Sequence, residues 1–379
     1  MEEKIIMTPG PTYINEEVRK AMLKPITNPD LDLEFYEFYK NTSRKIGKLL
    51  NTDNQVLLLS GEGILGLEAA CASLIEHGDK VLCIDNGIFG KGFGDFVKMY
   101  GGECVYYSSD YRKPIDIKEL EIFLQKENDF KFATFVHCET PSGLVNPIKE
   151  ISLLLKKYNI ITVVDAVSSV GGEILKVDEW EIDIALGASQ KCLSAPPGLT
   201  FLSISEDAWD SIINRKTSIA GYYCNLAVWK DWYDKKWFPY TQPISDIYAL
   251  DVAVDRLIND PKKYERHNSI AHALRTAIVS AGLNLYPDSG WSNTVTAIEV
   301  PKGISEKEIR ESLIIKHNIM LAGAFGELEG KVLRIGHMGE NCKEDKIYIV
   351  LKYLDKTLRD FGLKLNKELH VEFINHING

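Results

Sequence analysis

The sequence predicts an α/β fold, with a mostly parallel sheet covered by helices and a smaller α+β domain after it. Three observations carry this. From Gln55 to Ile204, short apolar runs, glycine-containing loops and helical stretches repeat in a strand, loop, helix order. The strands are apolar without regular polar alternation, as expected where helices cover both faces of a parallel sheet. Beyond Ala281 the order of strands and helices changes, and 379 residues exceed what one core usually holds.

Taken in order, residues 1–15 form an N-terminal arm around Thr8-Pro-Gly-Pro-Thr12, where proline excludes helix and central strand. A helix is expected at Glu16–Leu23, and another over Leu33–Leu50 with Phe35, Phe38, Ile46 and Leu49 toward one side. The large domain, 16–260, then carries strands at Val56–Ser60, Val81–Asp85, Glu103–Tyr107, Phe132–His137, Ile160–Asp165, Ile182–Leu186 and Leu199–Ile204. One long helical region, Asp246–Ala281, leads into the small domain, 261–379. There the strands are Thr294–Val300, Ile319–Leu321 and Lys331–Gly336, with helices at 305–317 and 343–361. The tail Leu363–Gly379 carries no readable role.

Composition narrows the function. A formal charge of -10 argues against a nucleic-acid or anionic-membrane partner. No apolar run approaches the roughly 20 residues that span a bilayer, and the start lacks a signal-peptide pattern. The seven cysteines form neither a Cys-x-x-Cys pair nor a Cys/His cluster, so no disulfide framework and no metal site are indicated. The expectation is a cytoplasmic enzyme or binding protein.

Gly61-Glu-Gly-Ile-Leu-Gly66 has the glycine spacing of a dinucleotide-binding turn, with Asp85 at the end of the next strand, roughly 20 residues on. By that template alone the chain is a nicotinamide-dependent dehydrogenase. Any phosphate, however, suits a glycine turn at a helix N-terminus, where free N–H groups and the dipole favour an anion. Two further residues redirect the reading. Lys191, in Ser189-Gln-Lys-Cys-Leu-Ser-Ala-Pro-Pro-Gly198, has small neutral neighbours, and a desolvated lysine has a lowered pKa and attacks carbonyls. Asp165 closes the strand before it. A phosphate turn, an acid and an amine at the carboxyl ends of strands are what pyridoxal phosphate requires.

With these residues the chain resembles the class V aminotransferases, through Ser60-Gly-Glu-Gly63, Asn86-Gly-Ile-Phe-Gly90, His137-Cys-Glu-Thr-Pro-Ser-Gly143, Asp165-Ala-Val-Ser-Ser169, Ser189-Gln-Lys191, Ala195-Pro-Pro-Gly198 and Leu333-Arg-Ile-Gly336. The resemblance is to the alanine–glyoxylate and serine–pyruvate (or serine–glyoxylate) branch. It implies a fold type I architecture with a mainly parallel seven-stranded sheet, and a homodimer with shared active sites. It implies Lys191 as the Schiff-base lysine and proton carrier, with Asp165 on the pyridine nitrogen. Phe89 takes the ring-stacking slot, Glu62, Gly63 and Ile64 contact the phosphate with Gln190, and Thr140 approaches the cofactor. Relatives often carry serine where Glu62 stands, so the backbone of that turn is expected to bind. Thr241 would reach the phosphate of the other subunit. Phe238 stands where an aromatic hydroxyl is expected beside it, and Tyr240 is the alternative source of one. Arg334 would hold the substrate carboxylate, and Gly10 lines the substrate pocket.

The implied reaction moves an amino group from alanine or serine to glyoxylate or pyruvate, in a ping-pong cycle through pyridoxamine phosphate. Rivals are a transaminase for 2-aminoethylphosphonate or ureidoglycine and the dehydrogenase above. A desulfurase would need Cys342 as nucleophile. A binding module would use the aromatic run Trp229–Trp237, for which a dimer-interface or pocket-mouth role is the stronger expectation.

Overall fold

The computed structural model describes residues 4–377. Residues 1–3 of the arm and 378–379 of the tail lie outside the described range. A short strand, β1 (Ile5–Ile6), comes first. The main sheet is built from β2 (Gln55–Ser60), β3 (Lys80–Asp85), β4 (Glu103–Ser108) and β5 (Phe132–Val136). After a small hairpin of β6 (Cys138–Glu139) and β7 (Leu144–Val145), it continues with β8 (Ile161–Asp165), β9 (Ile184–Ala188) and β10 (Leu199–Ile204). The seven strands lie in the order β2-β10-β9-β8-β5-β3-β4, with β10 antiparallel to both neighbours and the remaining pairs parallel. In the C-terminal part, β11 (Val295–Glu299) pairs antiparallel with β13 (Val332–Gly336), and β12 (Ile319–Met320) pairs in parallel with β1.

Apolar side chains form two main clusters. One runs from Val18 to Leu257, and the other joins Met7 to residues between Ile270 and Phe373. The arm is pinned to the second: Met7 N–H donates to Met320 O at 2.9 Å and its carbonyl accepts from Gly336 N–H at 2.7 Å.

Several expectations shift. The long helix Asp246–Ala281 is two helices, Ile244–Ile258 and Lys263–Ser280. Between them Pro261 offers no N–H, and the Asp260 carboxylate takes the Lys262 N–H at 3.0 Å. The strand expected at Ile182 starts at Ile184, because Asp183 is engaged sideways, accepting from Thr162 N–H at 2.9 Å and Lys156 Nζ at 2.8 Å. The tail holds a helix, Leu369–Ile377, whose Leu369 and Phe373 join the second core.

The aromatic run has a structural role. Trp229 and Trp232 are buried, and Phe238 stacks on Tyr36 with centroids 4.6 Å apart. Tyr39 sits in the same cluster and accepts from Leu58 N–H at 2.9 Å while donating to Leu58 O at 2.6 Å. The cluster therefore fixes β2, and β2 delivers the Gly61 turn. Phe238, Trp229 and Trp232 are thereby taken up within the chain's own core, while Trp237 at the end of the run is 44% exposed.

Candidate active site

The carboxyl ends of the parallel strands deliver the chemistry, as an open α/β sheet requires. Ser60, Asp85, Val136, Asp165 and Ala188 are the last residues of β2, β3, β5, β8 and β9. The Lys191 loop follows β9, and Thr12 ties the arm to it, donating through N–H to Gln190 O at 3.1 Å and through Oγ1 to Lys191 O at 3.0 Å. Lys191 Nζ donates to Pro9 O at 2.5 Å. Burial lowers this amine to about 8, with the Arg334 charge pushing the same way and Asp165 opposing. Gly10 is left-handed (φ +86°), and a Cβ there would stand 2.6 Å from Lys191 Cδ. Only glycine lets the arm pass so close to the lysine.

Asp165 is buried and accepts from Val167 N–H at 2.8 Å. Burial raises its carboxyl to about 6; the Val167 N–H and Lys191 oppose, and Glu62 adds to the rise. A carboxylate held this way is short of a cation.

The Gly61 turn opens the helix Gly63–Leu74, whose first N–H groups have no intrahelical acceptor. A Cβ on Gly63 would lie 2.9 Å from Val167 Cγ2, so the helix start abuts the Asp165 loop. Ile64 is exposed at 40%. Ser60 Oγ, Gln190 Oε1 and Tyr240 Oη are buried without a hydrogen-bond partner, and Tyr240 lies against the Ser60 backbone.

Phe89 stands in the first turn of the helix Ile88–Met99, edge-to-face with Phe325 at 5.9 Å. Its N–H and that of Gly90 donate to the buried Glu139 carboxylate at 3.2 and 2.6 Å. Burial raises Glu139 to about 8. Thr140 Oγ1 shares a short hydrogen bond with Ser168 Oγ, and its carbonyl accepts from Arg334 Nη1 at 3.1 Å. Arg334, in the middle of β13, donates through Nε to Gly323 O at 2.6 Å. Buried with carbonyls for partners and no carboxylate paired to it among the described residues, its guanidinium is lowered to about 10, chiefly by burial.

An amine with a lowered pKa, a buried acid and helix N–H groups thus gather at the carboxyl ends of the main sheet's strands, with the guanidinium brought from β13. The profile of the family described as aminotransferase class-V matches residues 16–350. The chain belongs to this family. Among solved structures, a class-V likeness is seen with ureidoglycine–glyoxylate aminotransferase of Bacillus subtilis, at 29% identity and TM-score 0.96 over 100% of this chain and 99% of that one. Alanine–glyoxylate aminotransferase of Nostoc sp. gives 27% and 0.91 over 95% and 96%. In sequence, pyridoxamine–pyruvate transaminase of Mesorhizobium japonicum is 33% identical over 95% of this chain and 93% of its own length. The expected fold type I architecture and the enzyme class therefore hold: this is a pyridoxal phosphate-dependent aminotransferase.

The residues present fit a class-V cofactor. Asp165 forms no ion pair among the described residues and Lys191 offsets its burial only in part, which leaves it fit for a protonated pyridine nitrogen, and Lys191 is depressed toward its reactive free amine. Orphaned polar atoms flank the anchor turn. The dehydrogenase reading loses its second half, since Asp85 is occupied by Tyr111 Oη at 2.7 Å and Ser108 Oγ at 3.1 Å. The strand order also differs from the dinucleotide fold. Cys342 is buried in the second core with its thiol pushed up to about 12, which excludes a desulfurase nucleophile. Cys192 packs with Val295 and Met338, and His137 is buried, lowered to about 4, and bonded through its N–H to Asp165 O.

Two placements differ from a complete site within one chain. Thr241 is exposed and joins nothing around Lys191. A cleft of about 770 Å³ lies behind the lysine loop, against Cys192, Ser194, Arg256 and Glu340, and is not lined by Lys191. Sequence reasoning passed over Glu139, which fixes the Phe89 backbone, and Pro9, whose carbonyl holds Lys191. Glu139 stood in a motif but is silent without its partners 49 and 50 positions away. A main-chain carbonyl leaves no signal in sequence.

Proposed function

We propose that this chain moves an amino group between a small L-amino acid, alanine or serine, and glyoxylate or pyruvate. Arg334 carries the reading: one buried guanidinium without a carboxylate partner suits one substrate carboxylate, gripped by a planar pair of donors. The relatives named above differ in donor, but their acceptors are glyoxylate and pyruvate, small 2-oxo acids with a single carboxylate.

When bound, the pyridoxal ring supplies an electron sink next to the amino group being moved. The rest is the work of this chain. Arg334 would grip the substrate carboxylate and so orient the substrate toward Lys191. Lys191 Nζ would hold and move the substrate α-proton, and its lowered pKa keeps the free amine accessible near neutral pH. Asp165 would keep a bound pyridine nitrogen protonated through its charge. Glu139 fixes the start of the helix that carries Phe89, the residue that would stack on the ring. Gly63, Ile64 and Gln190 anchor the far end, Thr140 borders the ring, and Gly10 leaves room beside Lys191.

The division into an arm (1–15), a large domain (16–260) and a small domain (261–379) belongs to the same reading, supported by the two apolar clusters. So does a homodimer in which Thr241 completes the partner's anchor; its exposure supports this. A cytoplasmic site suits the seven free thiols. Among the described residues no helix is long and apolar enough to cross a membrane.

Arg334→Lys keeps the charge but loses the paired donors. Its kcat/KM for the 2-oxo acid should fall about 100-fold while cofactor affinity stays level; an equal loss of cofactor binding would show that Arg334 acts on the fold. A donor panel against glyoxylate and pyruvate, ranked by kcat/KM, should place alanine or serine first. First place for ureidoglycine or 2-aminoethylphosphonate would overturn the choice of donor.

A further inference from the structure

The anchor turn carries a charge that a phosphate site does not call for. Glu62 is the residue before the helix Gly63–Leu74, and its side chain makes no capping bond to that helix. It is exposed and forms no ion pair among the described residues, so no neighbouring cation neutralises it. Its charge reaches into the site, where it is felt at Asp165. The polar atoms waiting around the turn are neutral: Ser60 Oγ, Tyr240 Oη and Gln190 Oε1, the last on a side chain 7% exposed. The buried cations of the site, Lys191 and Arg334, bond to the carbonyls of Pro9, Thr140 and Gly323 and not to this turn.

A phosphate placed on the Gly63 and Ile64 N–H groups would gain the helix terminus and meet the Glu62 carboxylate. Like charges within a few ångströms in a partly buried site oppose each other strongly. A hydroxymethyl group in the same place accepts from those N–H groups and donates its own O–H to Glu62, forming a charge-assisted hydrogen bond.

We propose that Glu62 adapts this anchor to a neutral hydroxymethyl group, so that unphosphorylated pyridoxal and pyridoxamine compete with pyridoxal phosphate for the site. The inference rests on the reading that Lys191 and Asp165 hold a pyridoxal ring, and deepens it by naming a second ring ligand. Pyridoxamine bound there is itself an amino donor. Its CH2–NH2 becomes an aldehyde as the C=O of the 2-oxo acid becomes CH–NH2, so the two electrons lost by the ring carbon are gained by the acid. Without a phosphate to retain it, the product pyridoxal can leave, and the ring turns over as a substrate.

The test is a titration of the ligand-free full chain with pyridoxal and with pyridoxal phosphate, following the visible band of the lysine-bound ring. Wild type, Glu62→Gln and Glu62→Ser are compared, with Lys191→Ala as blank. In wild type the two dissociation constants should lie within about tenfold of each other. Both Glu62 variants should shift the ratio toward the phosphate form by about tenfold or more. A wild-type preference for the phosphate form above about 100-fold, unmoved by Glu62→Gln, would overturn the proposal. If neither ligand gives the band in any protein, the Lys191 reading itself fails, which is a separate result.

Discussion

Lys191→Ala is expected to lower kcat by at least about 10³-fold and to abolish the visible band of the lysine-bound ring. The loss is large because, in the proposed function, one nitrogen serves two tasks, bonding to the cofactor and carrying the α-proton. Asp165, Thr140 and Arg334 remain, so the variant should still bind ring and substrate, and an added small amine should restore part of the rate. A pH signature accompanies this. Burial lowers Lys191 from 10.5 to about 8, so the unfolded chain binds its proton more tightly than the folded one. Ligand-free wild type should therefore gain stability relative to Lys191→Ala as pH rises from 8 toward 10.5. Chemical denaturation at pH 7 and pH 10 checks the sign.

Asp165→Asn should separate activity from stability. Its carboxyl is raised from 3.8 to about 6, chiefly by burial. The folded form then holds the proton more tightly, so the stability tied to it is complete below pH 3.8 and lost as pH rises through 6. At pH 7.5 the ligand-free protein carries a buried carboxylate whose nearby opposing charge is Lys191. An asparagine can still accept from Val167 N–H, and removing the charge should stabilise the ligand-free variant by up to about 3 kcal/mol. With cofactor present the order reverses, because the charge that keeps the pyridine nitrogen protonated is gone and kcat should fall by roughly 10²–10³-fold. A variant less stable than wild type without ligand would show that the Asp165 charge is already paired within the fold.

Much of this was legible in the sequence because the site is built from residues at strand ends. Glycine turns, Asp165 and Lys191 each follow an apolar run, and such runs mark strands whatever packs on them. Arg334 was legible only through the resemblance carried by Leu333-Arg-Ile-Gly336, and its lack of a carboxylate partner was not, since that depends on Thr140 and Gly323 meeting it in space. The burial of Trp229 and Trp232 was not legible, for a physical reason. Trp229 and Trp232 stand among lysines and aspartates that point outward, so the local pattern reads as surface, while Tyr36 and Tyr39, nearly two hundred positions earlier, bury the indoles. Phe238 went the same way, claimed by Tyr36. The break at Pro261 was visible as a proline, yet the helical periodicity on both sides ran over it. Boundaries elsewhere differ by a residue or two, which decides nothing about the site.

The central claim is that Lys191 is the residue bonded to the cofactor. Borohydride reduction of the cofactor-loaded protein, followed by peptide mass mapping, tests it most directly. The pyridoxyl mass should appear on the peptide containing Lys191 and vanish in Lys191→Ala. A pyridoxyl group fixed to a different lysine, with Lys191 unmodified, would contradict the account.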